Sequence, residues 1–268
     1  MVIQLLGTGA ADGIPSLYSD SRVSSFARQH GGREIRRRAS ALIDGEIKID
    51  YTPDIQGECS ALGLQPLDWS LVIFTHSDPD HFAPLELQYA LYPFTENLLM
   101  PFAIAANETI MRDLWRMYPE WPMELRVTRS FESFVHAGYS ITPIRSNHLE
   151  DEDSHNLIFE KDGKRILYAT DTGVYKPETW EFLQSLPMDI LVLECTDGIC
   201  SSGYCGHLDL KEFLSVIEKM HGQGTLTASS QIVTTHHSHH GDVTYEEYVK
   251  LLEPHGVIAG FDGITLDC

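Results

Sequence analysis

The chain has 268 residues, 43% hydrophobic and 10% aromatic, a composition typical of a folded globular protein. Its formal net charge of -20, from 19 Lys and Arg against 39 Asp and Glu, argues against nonspecific binding to nucleic acid or anionic membrane, because phosphate attraction needs a positive field. No apolar run approaches the roughly 20 residues that span a bilayer, and Met1-Val2-Ile3-Gln4-Leu5-Leu6-Gly7 lacks the basic and long apolar regions of a signal peptide, so a cytoplasmic protein is expected.

Val2-Ile3-Gln4-Leu5-Leu6 reads as a strand that breaks into Gly7-Thr8-Gly9-Ala10-Ala11-Asp12-Gly13-Ile14-Pro15, where glycines permit a tight turn and close backbone approach. The spacing is wrong for a dinucleotide fingerprint, and Pro15 blocks the helix that should follow. The segment to about residue 38 reads as a long polar loop. Its Arg28, Arg33, Arg36, Arg37 and Arg38 form either a solvated loop or a basic patch. Residues 39–50 read as a hairpin turning at Asp44-Gly45 and ending at Asp50.

Leu71-Val72-Ile73-Phe74 is short, apolar and partly β-branched, as suits a buried strand. It delivers Thr75-His76-Ser77-Asp78-Pro79-Asp80-His81, in which Pro79 prevents a helix through the cluster. Imidazole nitrogen and carboxylate oxygen suit Zn, Mn or Fe, and His76, Asp78, Asp80 and His81 lie close enough in sequence to serve two adjacent ions. Residues 84–94 and 108–117 have helical spacing. Their Leu, Tyr, Phe and Trp side chains either pack on a sheet or offer a homodimer contact.

Two strands are expected between residues 131 and 144, the second running into Arg145-Ser146-Asn147-His148, and the acidic run Glu150-Asp151-Glu152-Asp153 reads as a solvated loop. Residues 157–160 and 165–169 form a second hairpin that runs into Thr170-Asp171-Thr172-Gly173. The strand 188–193 ends at Glu194-Cys195-Thr196, and a glycine- and cysteine-containing loop leads to His207. Cys59, Cys195, Cys200, Cys205 and Cys268 are odd in number and scattered, so reduced thiols are expected, with a structural zinc on Cys195, Cys200 and Cys205 as the alternative. Asp209-Leu210-Lys211-Glu212 is a capping box for a helix over 210–220. Residues 231–235 form a strand ending in His236-His237-Ser238-His239-His240. Thr244-Tyr245-Glu246-Glu247 caps a further helix, and residues 256–266 have strand character. No repeat or linker interrupts the chain, so residues 1–268 are expected to be one domain.

Five apolar strands thus end in His76, His148, Asp171, Glu194 and His236. A lone Asp after a strand is usually a turn former, but the agreement of five points to a site assembled at one edge of packed sheets. In these motifs, together with Leu5-Leu6-Gly7-Thr8-Gly9, Leu42-Ile43-Asp44 through Asp50, and Gly260-Phe261-Asp262-Gly263, the chain resembles the metallo-β-lactamase fold superfamily. Within it the likeness is to the branch of phosphonate-pathway cyclic phosphodiesterases and tRNA 3′-end endonucleases. The resemblance implies an α/β fold (α+β in some schemes), a four-layer αββα sandwich with a dinuclear site at the strand-end edge. It also implies two divalent ions (Mn, Zn or Fe): one held by His76, Asp78 and His148, the other by Asp80, His81 and His236, with Asp171 between them. A hydroxide between the ions would attack, His207 would contact a phosphate oxygen or protonate the leaving alkoxide, and Glu194 would orient His207.

The family cluster is His-x-His-x-Asp-His, and Asp78 stands here in place of the second histidine. A carboxylate there shifts the preference from Zn toward Mn or Fe; the alternative is that Asp78 turns away and leaves the first site weak. The phosphonate-pathway enzymes carry a cysteine-built zinc in the early loop, where this chain has Leu17-Tyr18-Ser19-Asp20-Ser21-Arg22, so that zinc does not transfer. His239 is expected near the site or lining its pocket, His237 and His240 are expected to be outward or structural, and His155 is expected to be structural. The expected function is hydrolysis of a small or cyclic phosphodiester, with nucleic acid disfavoured as a substrate by charge and by the lack of a basic arm. Hydrolysis of a thioester, lactone or β-lactam is the alternative, as is a non-catalytic relative that binds a ligand or a single metal.

Overall fold

The computed structural model describes residues 1–95, 102–122 and 124–268. In chain order it contains β1 (Val2–Gly7), α1 (Arg22–His30), β2 (Ser40–Ile43), β3 (Ile47–Ile49), α2 (Ile55–Leu62), β4 (Leu71–Ile73), β5 (Ala103–Ala106), α3 (Glu108–Met117), β6 (Leu125–Val127) and β7 (Phe134–His136). Then come β8 (Tyr139–Arg145), β9 (His155–Lys161), β10 (Lys164–Ala169), α4 (Pro177–Leu183), β11 (Ile190–Glu194), α5 (Leu210–Gly222), β12 (Gln231–Thr235), α6 (Tyr245–Leu252) and β13 (Thr265–Asp267).

The strands form a 7-stranded sheet in the order β13-β1-β2-β3-β4-β5-β6 and a 6-stranded sheet in the order β12-β11-β10-β9-β8-β7. Period-two alternation makes them a sandwich. Leu5, Ile43, Leu71 and Ile73 of the first sheet meet Tyr139, Leu157, Tyr168 and Val192 of the second in a core between the sheets. Their neighbours Leu6, Leu42, Val72 and Phe74 point to the opposite face, onto Ile55, Ile110, Met111 and Leu114 of α2 and α3. Leu167, Leu191 and Leu193 of the second sheet likewise point outward to Trp180, Phe213, Val216 and Tyr248 of α4, α5 and α6. The result is a four-layer αββα sandwich, the metallo-β-lactamase fold.

The topology fixes where strand ends collect. β3, β4, β5 and β6 pair in parallel, as do β10, β11 and β12. β8 and β10 each pair antiparallel with β9, so β8 runs the same way as β10. The C-terminal ends of β8, β10, β11 and β12 therefore lie together, and His155 N–H donating to Thr75 O at 2.9 Å brings the end of β4 to the same edge.

Several expectations are met. Asp44 and Gly45 turn the first hairpin with φ of 47° and 74°, and Asp209 and Thr244 each close a capping box with the glutamate three residues on. Other expectations are corrected. The supposed loop before residue 38 contains α1, capped by the Ser21 hydroxyl accepting from Ser24 N–H. Its arginine run is solvated only in part: Arg28 and Arg33 are exposed, but Arg36 is buried and donates to Thr8 Oγ1 and Gly260 O, while Arg37 and Arg38 pair with Asp262 and Asp54. Gly7 permits this closeness, since a Cβ there would stand 1.9 Å from Arg38 O. Helix over 84–94 is reduced to 3-10 turns over Pro84–Ala90. There Leu87 is buried while Leu85, Tyr89, Tyr92 and Phe94 are exposed, as is Trp115 on α3; of the proposed dimer face, residues 96–101 lie outside the described ones. Residues 256–266 make a bridge at Ile258 and only the start of β13, because glycines and the 261–264 turn interrupt the ladder. α2, α4, β5 and β6 carry too little periodicity over too few residues to be read from sequence.

Lys48 on β3 and Glu58 on α2 form a fully buried ion pair at 3.3 Å. Lys48 Nζ also donates to Ile49 O and Asp50 O, and Glu58 Oε1 accepts from Ser40 and Thr52. Removing one partner strands the other charge. Lys48→Ala is expected to lower unfolding free energy by about 3–5 kcal/mol in urea titrations, whereas Lys48→Met with Glu58→Leu should recover most of that loss.

Candidate metal centre

The strand ends do not simply stop at the shared edge; they kink. Asp50 after β3, Asp171 after β10 and His236 after β12 have left-handed φ of 58°, 46° and 55°, a region that costs non-glycine residues on the order of 1 kcal/mol or more each. All three side chains are buried and take part in one polar cluster.

At its centre is the carboxylate of Asp171. Oδ2 lies 3.0 Å from His81 Nε2 and 3.2 Å from His236 Nε2, and Oδ1 lies 3.8 Å from His148 Nε2. Asp80 Oδ2 faces His81 and His236 at 3.1 and 3.7 Å. Asp78 does not turn away: its Oδ2 is 3.2 Å from His148 Nε2 and 3.5 Å from His76 Nε2. Donor atoms of His76, His148 and Asp171 lie within 4.8 Å of one another, as do those of Asp80, His81 and His236. Six of the seven expected ligand positions fall in these two groups; Asp78 lies beside the first without belonging to it, and a third group joins Asp171 and His236 with His207.

The imidazoles share one polarity. Nδ1 of His76 faces Thr75 Oγ1 at 3.0 Å, that of His81 faces Asp50 Oδ2 at 2.8 Å, that of His148 faces Gly206 O at 3.1 Å and that of His236 faces Thr196 Oγ1 at 2.9 Å. Each Nε2 is left toward the centre. Those of His76, His81 and His236 are buried without a hydrogen-bond partner among the described residues, a costly arrangement unless they ligate a cation. Imidazole fixed through its other nitrogen is the usual preparation for a metal, and the donor set of imidazoles and carboxylates fits divalent Zn, Mn or Fe. Asp50, Thr75, Thr196 and Gly206 were not legible as parts of the site, because a ring's second nitrogen finds its partner only in three dimensions.

His207 stands beside the cluster, its ring centroid 4.9 Å from that of His148 and 5.4 Å from that of His236. Its Nδ1 lies 2.8 Å from Oε1 of Glu194. Glu194 is fully buried and also accepts from Thr172 N–H, Leu208 N–H and the Thr196 hydroxyl. Tyr204, half exposed, sets its ring against both His148 and His207.

The electrostatics reflect this crowding. The rings of His148, which is hydrogen-bonded to it, and of His76 beside it hold the Asp78 carboxyl well below its ordinary range. Burial opposes ionisation of Asp171, yet His236 and His81 outweigh it and keep the carboxylate charged. Burial opposes charge on His81 as well, and Asp171, Asp80 and Asp50 overcome it, raising the ring well above the usual imidazole value. For His207 burial is outweighed by Glu194, which raises it to about 9.

The remaining candidates lie elsewhere. His239 binds Asp12 through Nε2 at 2.9 Å and the Ser21 hydroxyl through Nδ1 at 3.0 Å, with Ser19 Oγ at 3.4 Å. It fastens the glycine-rich loop and the cap of α1 instead of lining the site. His237 is buried against Tyr248 and bonds Thr234, His240 is exposed with its ring against His239, and His155 pairs with Asp153. Cys195 lies in the core while Cys200 and Cys205 are exposed, and among the described residues no metal-competent group contains a cysteine. The acidic run is solvated at Glu150 and Asp151 but not at Glu152 and Asp153. Glu152 is buried and accepts from Ser77 and Asn107, and Asp153 accepts from Ser130 and Arg145.

Among described residues, no helix is long and apolar enough to cross a membrane. Residues 47–237 match the sequence family described as a beta-lactamase superfamily domain. A search of curated proteins finds no match. Among solved structures, a diphosphatase of the PhnP family is 24% identical with a TM-score of 0.77, covering 100% of this chain and 97% of its own. Zinc-bound PqqB from Methylobacterium extorquens is 18% identical, with a TM-score of 0.76 and 100% coverage of both chains. The short form of human tRNase Z is 16% identical, with a TM-score of 0.64 over 100% of this chain and 99% of that one. These likenesses concern the fold.

The His207–Glu194 pair can be tested in metal-free protein. Below the ordinary 6.5 the ring is charged in folded and unfolded chain alike, so the attraction stabilises fully; it is lost as pH rises through about 9. Glu194→Gln is expected to bring the His207 titration, followed by NMR, down toward 6.5. A midpoint still near 9 would mean that another carboxylate sustains it.

Proposed function

The chain belongs to the β-lactamase superfamily, and from that premise we propose that it is a metal-dependent hydrolase of a small or cyclic phosphodiester. The observation that carries this reading is the carboxylate of Asp171, with one oxygen toward His148 and the other toward His81 and His236. Residues 1–268 would act as one unit, because both sheets contribute donors.

His76, Asp78 and His148 would hold one divalent ion, Asp80, His81 and His236 the other, with Asp171 shared. Such ions supply Lewis acidity, making water acidic enough to attack at neutral pH and offsetting charge on the phosphoryl oxygens. Asp78 adds a hard oxygen donor to the first position and favours Mn or Fe over Zn there.

The protein's own groups do the rest. The ring of His207, held charged by Glu194, would donate from Nε2 to the leaving oxygen, while Nδ1–H stays on the Glu194 carboxylate. Hydrogen bonds from Thr172, Leu208 and Thr196 keep Glu194 itself from turning. Tyr204 would form one wall of the cleft beside that proton donor. The PhnP-family relative is a diphosphatase, which agrees with chemistry at phosphorus. A net charge of -20 disfavours transfer RNA as substrate.

Purified protein is expected to take up two Mn ions per chain by elemental analysis and to hydrolyse bis-(p-nitrophenyl) phosphate faster than ester or β-lactam substrates. Asp171→Asn should abolish most of that rate; full activity in this variant would sink the proposal. His207→Ala should cost roughly 10²–10⁴-fold in kcat. Because His207 must be protonated, the rate should fall on the alkaline side with an inflection at or below about 9, bound cations lowering the value set by Glu194. That limb should disappear in His207→Ala.

A further inference from the structure

Glu152 comes from the acidic run after β8, yet it is only 5% exposed. One carboxylate oxygen accepts the hydroxyl of Ser77, the residue between His76 and Asp78. The other accepts Asn107 Nδ2 at 2.5 Å. Asn107 is itself fixed, because its Oδ1 caps α3 by accepting Ile110 N–H and its Nδ2 also donates to Asp153 O. Asp153 in turn is held by Ser130, Arg145 and His155. Glu152 therefore joins three loops, those following β4, β5 and β8, and so ties the first sheet to the second at the site edge.

The residue this restrains most is Asp78. Its backbone carbonyl accepts from His81 and Phe82 N–H, which fixes the turn after it. Its side chain is 38% exposed, and among the described residues its ion-pair contacts are with the rings of His76 and His148. On the other side of Asp78, the Ser77 hydroxyl on Glu152 anchors the turn. A carboxylate suits the place, since two donors converge on it and hydrogen bonds to an ionised acceptor are the stronger kind.

We propose that Glu152 is a positioning residue for the first metal ion, holding the Ser77–Asp78 turn so that the Asp78 carboxylate faces His76 and His148. The inference rests on the ligand reading above. Glu152 touches neither ion nor substrate; it acts through Ser77. Partners that orient metal ligands typically change affinity by roughly 10- to 100-fold when removed. A merely structural role would weaken both ions alike or only the fold.

The test is titration of the metal-free chain with Mn alone against a competing chelator. Glu152→Ala is expected to weaken one of two Mn sites roughly 10- to 100-fold while the other stays within about threefold. Ser77→Ala should do the same and Ser77→Thr, which keeps a hydroxyl, should restore it. Added to Asp78→Ala, Glu152→Ala should cost nothing more. Equal weakening of both sites, no weakening, or additive losses would overturn the role of Glu152 while leaving the two-ion reading intact. If the wild-type chain takes up no Mn, that reading falls and the inference with it.

Discussion

The structure depends on a concentration of carboxylates and imidazoles out of reach of bulk water. Asp50, Asp80 and Asp171 are buried at one edge of the sandwich, and His76, His81 and His236 are buried with them. Charges in such a place must be compensated or they unfold the protein. Neutral imidazoles give little compensation: burial opposes charge on both Asp171 and His81, and Asp171 is held ionised and His81 protonated by their charged neighbours. Divalent cations would relieve the same demand more completely, so the fold's electrostatic need and the proposed chemistry have a common origin.

Holding that cluster requires a rigid frame. The two sheets supply it through an apolar core whose residues alternate between the inner face and the helices outside. The frame is also polar in places that matter. Lys48 donates to the carbonyl of Asp50, whose carboxylate accepts from Thr75 and faces His81. The buried pair with Glu58 thus continues into the site, and left-handed backbone at Asp50, Asp171 and His236 marks where regular strand gives way to function.

Two departures from the related metal clusters are structurally intelligible. Asp78 replaces a histidine without leaving the site, since its carboxylate reaches both His76 and His148. A carboxylate is shorter than imidazole, so the turn that bears it must be held closely, and Glu152 through Ser77 is the available restraint. The early loop, which has no cysteines, is held by Ser19, Ser21 and Asp12 around His239. Hydrogen bonds there give the loop its shape.

By itself the sequence determined the period-two strands, both hairpins, both capping boxes and the strand ends at His76, His148, Asp171, Glu194 and His236, because these are set by neighbours in the chain. It also sufficed for the fold class, through the order of those motifs. Tertiary structure alone decided which way Asp78 faces, which partner each imidazole nitrogen takes, that Arg36 and Glu152 are fastened inward where composition suggested solvent, and that His239 holds a loop instead of lining the site. It also decided that residues before 38 contain a helix and that residues 256–266 make little strand. The inward contacts depend on groups far apart in the chain, such as Arg36 with Gly260 or Glu152 with Ser77, whereas the Ser21 cap and the 261–264 turn are local features that polar composition and strand pattern hid. Polarity and local pattern report whether a side chain can be solvated, but only the folded chain supplies the partner that makes its burial favourable.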